Sequence, residues 1–160
     1  MDNYLFYLTF LAAVSSGMVA GVWFAFSAFI MKALMRITAE QGISAMQSIN
    51  ITVQSLLCSL LFFGTGLVSL FLLVMSLLQW EDPGAEYLLA GSALYLFGGL
   101  LVTGAFNVPL NNKLAGVRPD HAEGHRFWNT FTARWMIWNH VRTVACILTS
   151  VSYTAALLSF

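Results

Sequence analysis

The sequence predicts an all-α fold, a single domain over residues 1–160 that forms a bundle of four transmembrane helices. Hydrophobic residues make up 59% of the chain and charged residues 9%, whereas soluble domains carry about 45–50% apolar and about 25% charged residues. Charge-free stretches long enough to cross about 30 Å of hydrocarbon recur along the chain. Because backbone groups in lipid must be paired within the segment, such apolar runs are expected to be helices.

The boundaries of the helices follow from capping and turn signals. Thr38 and Gln41 have the spacing of a capping box and are expected to start the second segment. That segment is too long for one crossing, so its polar beginning is expected outside the hydrocarbon. Pro83-Gly84 indicates a turn before the third helix, and Pro119 precedes a long fourth helix that extends on the cytoplasmic side. The expected helices are 4–34, 43–79, 86–112 and 125–158.

The charges predict an orientation and exclude some partners. All seven Lys and Arg residues fall on one side of a four-crossing arrangement, and the loop 81–86 has acids only. By the positive-inside rule that side is cytoplasmic, and both termini face outside. The formal net charge of zero excludes a nucleic-acid binder held by phosphate attraction. We expect membrane lipid and a hydrophobic small molecule as partners. Cys58 and Cys146 lie in apolar runs, which does not indicate a disulfide framework.

Polar side chains inside the predicted helices indicate a pocket at the cytoplasmic end of the bundle. Such groups are costly in a membrane and are often functional. They form three stripes, at the beginning of helix two, the end of helix three and the beginning of helix four, which the topology brings to one level. The stripes are Gln47, Asn50 and Gln54; Asn107 and Asn111; and Trp135, Asn139 and Arg142. The alternative is that the amides lie among headgroups and the tryptophans form an aromatic belt.

These residue types suit an oxygen-rich aromatic ligand. The Arg142 guanidinium and the amides donate hydrogen bonds, while the indoles of Trp135 and Trp138 stack. No carboxylate lies within the spans to pair Arg142, so its partner is an amide, a backbone carbonyl, a loop acid, a lipid phosphate or a ligand. His140, beside Asn139, is the acid–base candidate, because an unperturbed imidazole titrates at about pH 6.5.

Two further motifs each have two interpretations. His121 and His125 have the one-turn spacing of metal ligands, but Gly124 loosens that helix and a solvated interface is favoured. We therefore predict no cofactor, with haem or a metal left open. Gly17 and Gly21 form a GxxxG motif, which either packs within the bundle or forms a homodimer.

Motifs along nearly the whole chain resemble the DUF1772 family of small four-helix membrane proteins, which includes the anthrone oxygenases of fungal polyketide pathways. The motifs are Gly17…Ala20-Gly21…Phe24-Ala25-Phe26-Ser27, Met46-Gln47-Ser48-Ile49-Asn50, Asn107-Val108-Pro109-Leu110-Asn111 and Trp135…Trp138-Asn139-His140-Val141-Arg142-Thr143. The resemblance implies a multi-pass protein of a bacterial plasma membrane, since most members are bacterial. It also implies oxygen insertion at an activated aromatic methylene without an organic cofactor.

That chemistry needs a base, donors for a phenolate-like oxygen and a dry cavity. We expect His140 as the base, Trp135 and Trp138 as walls, and donors from the remaining stripe residues, which are Arg142, Asn107, Asn111 and Asn139. Asn50 and Gln47 are expected to contribute to substrate binding.

Three functions remain open at this point. The first is a membrane oxygenase acting on a hydrophobic aromatic or quinone-like substrate. The second is a non-catalytic module that binds lipid, quinone or haem, or an accessory subunit of a membrane complex. The third is a transporter or channel, for which four helices are few unless the chain dimerises through Gly17 and Gly21.

Overall fold

Four membrane-spanning segments and one shorter helix form the structure, a computed structural model that describes residues 3–159. This confirms the predicted all-α bundle. The helices, including short π-helical stretches, are α1 (Asn3–Leu34), α2 (Ala39–Thr52), α3 (Leu56–Leu78), α4 (Ala85–Ala115) and α5 (Ala122–Leu158). All but α2 are long and apolar enough to cross a membrane.

The expectation of one continuous helix over 43–79 is wrong, because the chain breaks at residues 53–55. The polar α2 ends at Thr52, and Ser55 begins α3 by accepting a hydrogen bond from the Cys58 amide at 3.4 Å. At the other end of α2, the predicted capping box is present, with Thr38 and Gln41 each accepting from the other's backbone amide at 3.3 Å. Both caps satisfy amides that a helix start leaves unpaired, so α2 folds as a separate amphipathic helix.

Helix α5 is the centre of the bundle and packs against α1, α4 and α2. Its 37 residues reach about 55 Å, which exceeds the hydrocarbon thickness, and its first turns lie at the same end of the bundle as α2. There they join α2 and the ends of α1 and α4 in an apolar core. The buried members of this core are Phe26, Met31, Ile43, Met46, Leu114, Trp128, Phe131 and Trp135.

Two spans depart from regular α-helix near the polar residues. Helix α1 is π-helical at Phe26–Ile30, and α4 is π-helical at Leu94–Leu101 and Thr103–Asn107. Such stretches occur frequently at functional sites, because the wider turn redirects side chains. Gly98 in α4 packs directly against the methyl group of Ala145 in α5. This close approach brings the π-helical stretch Leu94–Leu101 against α5.

Candidate functional site

Arg142 lies inside the bundle, with 2% of its surface exposed. Its Nε and Nη2 both donate to Asn139 Oδ1, at 3.0 and 2.9 Å, and its Nη1 donates to Thr103 Oγ1 at 3.3 Å. The guanidinium carbon is 3.7 Å from the ring centroid of Trp23 and 4.9 Å from that of Trp135. Within residues 3–159, no acidic side chain forms an ion pair with Arg142. Amide and hydroxyl oxygens and the faces of two indoles therefore compensate its charge.

Asn139 links Arg142 to the first span and is fully buried. A guanidinium can only donate and a backbone carbonyl can only accept, so Oδ1 must face Arg142 and Nδ2 must face Trp23 O. Nδ2 donates to Trp23 O at 2.9 Å and to Ser27 Oγ at 2.7 Å. Both polar atoms of this amide are thus occupied, and its position fixes that of the guanidinium.

The third span contributes a row of polar residues at four-residue intervals, Thr103, Asn107 and Asn111. Asn107 is fully buried and donates from Nδ2 to Trp135 O at 3.3 Å. Asn111 Oδ1 accepts from Trp135 Nε1 at 2.8 Å. This row therefore holds both the backbone and the indole of Trp135, next to the guanidinium. We refer to Trp23, Thr103, Asn107, Trp135, Asn139 and Arg142 as the arginine cluster.

Some hydrogen-bonding capacity in the arginine cluster is unused. Asn107 Oδ1 and Trp23 Nε1 are buried and have no hydrogen-bond partner within the described part of the chain. Of the five N–H donors of a guanidinium, the bonds of Arg142 to Asn139 and Thr103 occupy three. A buried polar group left unpaired costs about 1–3 kcal/mol. Unpaired groups of this kind call for a further partner, such as water or a ligand.

Gln47, Asn50 and Trp138 are among the sequence-predicted residues that lie outside the arginine cluster. Gln47 donates to the carbonyls of Leu114 and Val117, at 2.8 and 3.0 Å, and so ties α2 to the end of α4. Asn50, half-buried, accepts at its backbone carbonyl from the side chain of Gln54, which lies in the break after α2. Substrate binding by Gln47 and Asn50 stays a prediction.

Trp138, the third of these residues, lies against Phe106. The two rings stack with centroids 3.5 Å apart and planes 8° from parallel, whereas the rings over Arg142 are those of Trp23 and Trp135. A role for Trp138 as a wall of the site also stays a prediction.

His140 is exposed, and its Nδ1 lies 2.9 Å from Ser27 Oγ. It follows Asn139 in the chain, so Ser27 touches both the buried amide and the exposed imidazole. Sequence reasoning assigned no role to Ser27, Trp23 or Thr103. The available signal was spacing, since Trp23 and Ser27 are one turn apart and Thr103 continues the row of Asn107 by one turn.

The pair His121 and His125 lies at the start of α5, and both residues are exposed. His125 Nε2 lies 2.9 Å from Pro119 O, and His121 Nε2 lies 3.9 Å from Asp120 Oδ2. Arg118 donates to both carboxylate oxygens of Asp120 and holds the pKa of that carboxyl below its ordinary value. Among residues 3–159, no group of three His, Cys, Asp or Glu side chains is placed to hold a metal ion.

An apolar groove of about 290 Å³ runs along the outer face of the α1–α5 pair, from Gly17 to Phe24 on α1 and from Ile147 to Val151 on α5. Ser27 and His140 are not among the residues that line this groove. At Gly17 the helices are close, because an added β-carbon would lie 3.2 Å from Ser150 Oγ, whereas at Gly21 it would meet open space. A homodimer through this face stays a prediction.

The four spans and the arginine cluster define an integral membrane protein with a polar site inside its helical bundle. A family model described as anthrone oxygenase matches residues 57–152, more than half of the chain, and the chain belongs to this family. The matched region contains nearly all of α3, all of α4 and most of α5. It therefore includes every member of the arginine cluster except Trp23. No curated protein and no solved structure matches the chain.

Proposed function

We propose that this protein oxygenates a hydrophobic aromatic substrate of the anthrone type, and that Arg142 stabilises the oxygen anion of the ionised substrate. One observation carries the proposal. Arg142 is a buried cation with donors to spare and no acidic partner among the described residues. A site with these properties favours an anion, because electrostatic attraction is stronger in a medium that excludes water.

The reaction needs no electron donor other than the substrate. Loss of one proton from the activated methylene gives an anion whose charge lies largely on the oxygen of the substrate's former ketone group. The deprotonated methylene carbon then transfers electrons to O₂ and forms a new carbon–oxygen bond. Cleavage of the O–O bond leaves one oxygen atom as the new carbonyl of a quinone, and the other departs as water with the two methylene hydrogens. The protein contributes a base, donors to the anion and a place that excludes bulk water.

The residues have distinct roles in this proposal. His140 accepts the methylene proton, and the N–H groups of Arg142 and Asn107 bind the oxygen anion. The faces of Trp23 and Trp135 contact the aromatic rings. The groove receives the apolar part of the substrate from the lipid side. Its volume of about 290 Å³ is just below the about 300–1,000 Å³ typical of ligand sites.

The test is oxygen-dependent quinone formation by the purified protein in detergent, followed by absorbance. With an anthrone as substrate, we expect Arg142→Ala to slow the reaction about 100-fold or more, the usual loss when one oxyanion donor is removed. Arg134→Ala is the matched control, because it removes the same side chain from an exposed position on the same helix and should leave the rate unchanged. Absence of turnover across several anthrones, or a folded Arg142→Ala variant with the wild-type rate, would overturn the proposal.

The second candidate is a binding protein that holds a quinone or lipid without turnover. The unpaired Asn107 Oδ1 and Trp23 Nε1 favour it, since both atoms would be satisfied by a resident ligand. This alternative predicts quenching of tryptophan fluorescence by an anthraquinone, lost in Arg142→Ala, with no oxygen consumption when an anthrone is supplied.

For the location, we propose a bacterial plasma membrane with the Lys- and Arg-rich end of the bundle in the cytoplasm. That end carries Lys32 in the last turn of α1 and Arg36 just after it, and Lys113 in the last turn of α4 and Arg118 just after it. Labelling of single introduced cysteines in intact cells, one in the loop 81–86 and one at Arg118, tests this orientation. The cysteine in the loop 81–86 should react with a membrane-impermeant reagent, and the one at position 118 should not.

A further inference from the structure

We propose that Ser27 fixes the tautomer of His140, so that the neutral imidazole carries its hydrogen on Nδ1 and leaves Nε2 as a free acceptor. The use of Nε2 as the base rests on the proposed function. The tautomer itself does not, because it follows from the hydrogen bonds around one hydroxyl group.

Three polar contacts meet at the Ser27 hydroxyl group, and a fourth joins its partner Thr143 to the backbone of Asn139. His140 Nδ1 lies 2.9 Å from Ser27 Oγ, and Asn139 Nδ2 donates to the same oxygen at 2.7 Å. Thr143 Oγ1 is 3.1 Å from Ser27 Oγ and donates to the backbone carbonyl of Asn139 at 2.7 Å. The exposed imidazole is thus connected through two hydroxyl groups to the residue that holds Arg142.

The hydrogens can be assigned by elimination. The amide nitrogen of Asn139 must donate, and the hydrogen of Thr143 is committed to a carbonyl, which can only accept. Ser27 therefore has one hydrogen to give, either to His140 Nδ1 or to Thr143 Oγ1. If it goes to His140, the contact between the two hydroxyl groups contains no hydrogen. If Nδ1 carries its own hydrogen, Ser27 donates to Thr143 and all four contacts are hydrogen bonds.

The second arrangement makes one more hydrogen bond, so it is favoured. The direction of donation then runs from His140 to Ser27, from Ser27 to Thr143, and from Thr143 to the Asn139 carbonyl. A histidine side chain in water prefers the opposite tautomer, with the hydrogen on Nε2, so this arrangement depends on the hydrogen bond that Nδ1 makes. The same bonds persist when Nε2 gains a proton, because Nδ1 remains a donor. His140 can therefore accept a proton without rearrangement of Asn139 or Arg142.

The tautomer is measurable by NMR of ¹⁵N-histidine-labelled protein in detergent, without substrate, at a pH where the imidazole is neutral. His140 is assigned by the signal that disappears in His140→Gln. We expect a protonated Nδ1 and an unprotonated Nε2 in the wild type, and a shift of the hydrogen to Nε2 in Ser27→Ala. Ser27→Thr retains a hydroxyl group and should restore the wild-type pattern.

Ser15→Ala is the matched control. Ser15 is also a half-buried serine of α1, but its hydroxyl group donates only to Ala12 O within its own helix, at 3.4 Å, so the pattern of His140 should not change. A wild-type His140 with its hydrogen on Nε2, or a folded Ser27→Ala variant with an unchanged tautomer, would overturn the inference.

The oxygenation assay separates this inference from the proposed function. If Nδ1 carries the hydrogen but His140→Gln still oxygenates an anthrone at the wild-type rate, the proposed base is wrong and the tautomer stands.

Discussion

Thr103→Asp would give Arg142 a carboxylate partner, which no acidic side chain among residues 3–159 supplies. Thr103 Oγ1 accepts from Arg142 Nη1 at 3.3 Å, and a charge pair at that distance attracts by about 5 kcal/mol at an effective dielectric constant of about 20. Desolvation of the new carboxylate offsets much of this attraction, so the melting temperature should change by only a few degrees. A substrate anion, however, would meet a pair that is already neutral. If the reacting anion loses half of its attraction to Arg142, which is about 2–3 kcal/mol, quinone formation should slow about 30- to 150-fold.

Thr103→Asn isolates the charge in this experiment. Asparagine and aspartate have the same shape, and both variants lose the hydrogen bond that Thr103 donates to Gly99 O at 2.8 Å. The initial rate of quinone formation, measured by absorbance in detergent at equal protein concentration, should stay within a few-fold of wild type for Thr103→Asn. If a folded Thr103→Asp variant is as fast as Thr103→Asn, the charge of Arg142 does not stabilise the reacting species, and our reasoning about the site fails.

Three other substitutions test the groove, the helix packing and the helix start. Gly21→Leu should fill the groove and raise the KM for an anthrone several-fold. Gly64→Leu, outside the groove, should leave the KM unchanged. An added β-carbon at either position would meet no atom within 4 Å, so both variants should fold. Gly98→Ala should lower the unfolding free energy by about 1–3 kcal/mol, because its new methyl group would overlap that of Ala145; an unchanged thermal unfolding midpoint would contradict this packing. Thr38→Ala should destabilise α2 by about 1 kcal/mol through loss of its cap, seen as faster amide exchange confined to that helix.

The fold was largely predictable because bilayer thickness sets the length of a span, and long charge-free runs are visible in a sequence. The ends of α1, α4 and α5 lie within three residues of those expected. The break at residues 53–55 was not predicted, since it depends on a single cap, Ser55, at the edge of an apolar run. The π-helical stretches were not predicted either, because capping and turn signals mark the ends of a helix and not changes within it.

Contacts in the site were predictable where residues at helical spacing are also able to hydrogen-bond to one another. Asn139 and Arg142 are three residues apart and face each other, and the row from Asn107 to Asn111 meets Trp135 as helix geometry requires. The contacts made by the first span were missed. A tryptophan or serine inside an apolar run is ordinary in composition, and its position opposite Arg142 arises only from how the helices assemble.

The polar stripe of α2 separates from the other two for a related reason. Because the chain breaks before α3, α2 does not continue the axis of α3. Its side-chain amides therefore need not face the direction that a continuous helix would give them. Gln47 consequently bonds to the end of α4. Whether Gln47 and Asn50 also bind substrate stays a prediction.

The dependence of Arg142 on three helices has a consequence for biogenesis. An arginine near the middle of a lone span raises the free energy of insertion by about 2.5–3.5 kcal/mol. Its ring contact to Trp23 and its bond to Thr103 come from spans made earlier on the ribosome. The fourth span should therefore leave the translocon efficiently only when the first and third are already beside it, and a chain that lacks either should be retained or degraded.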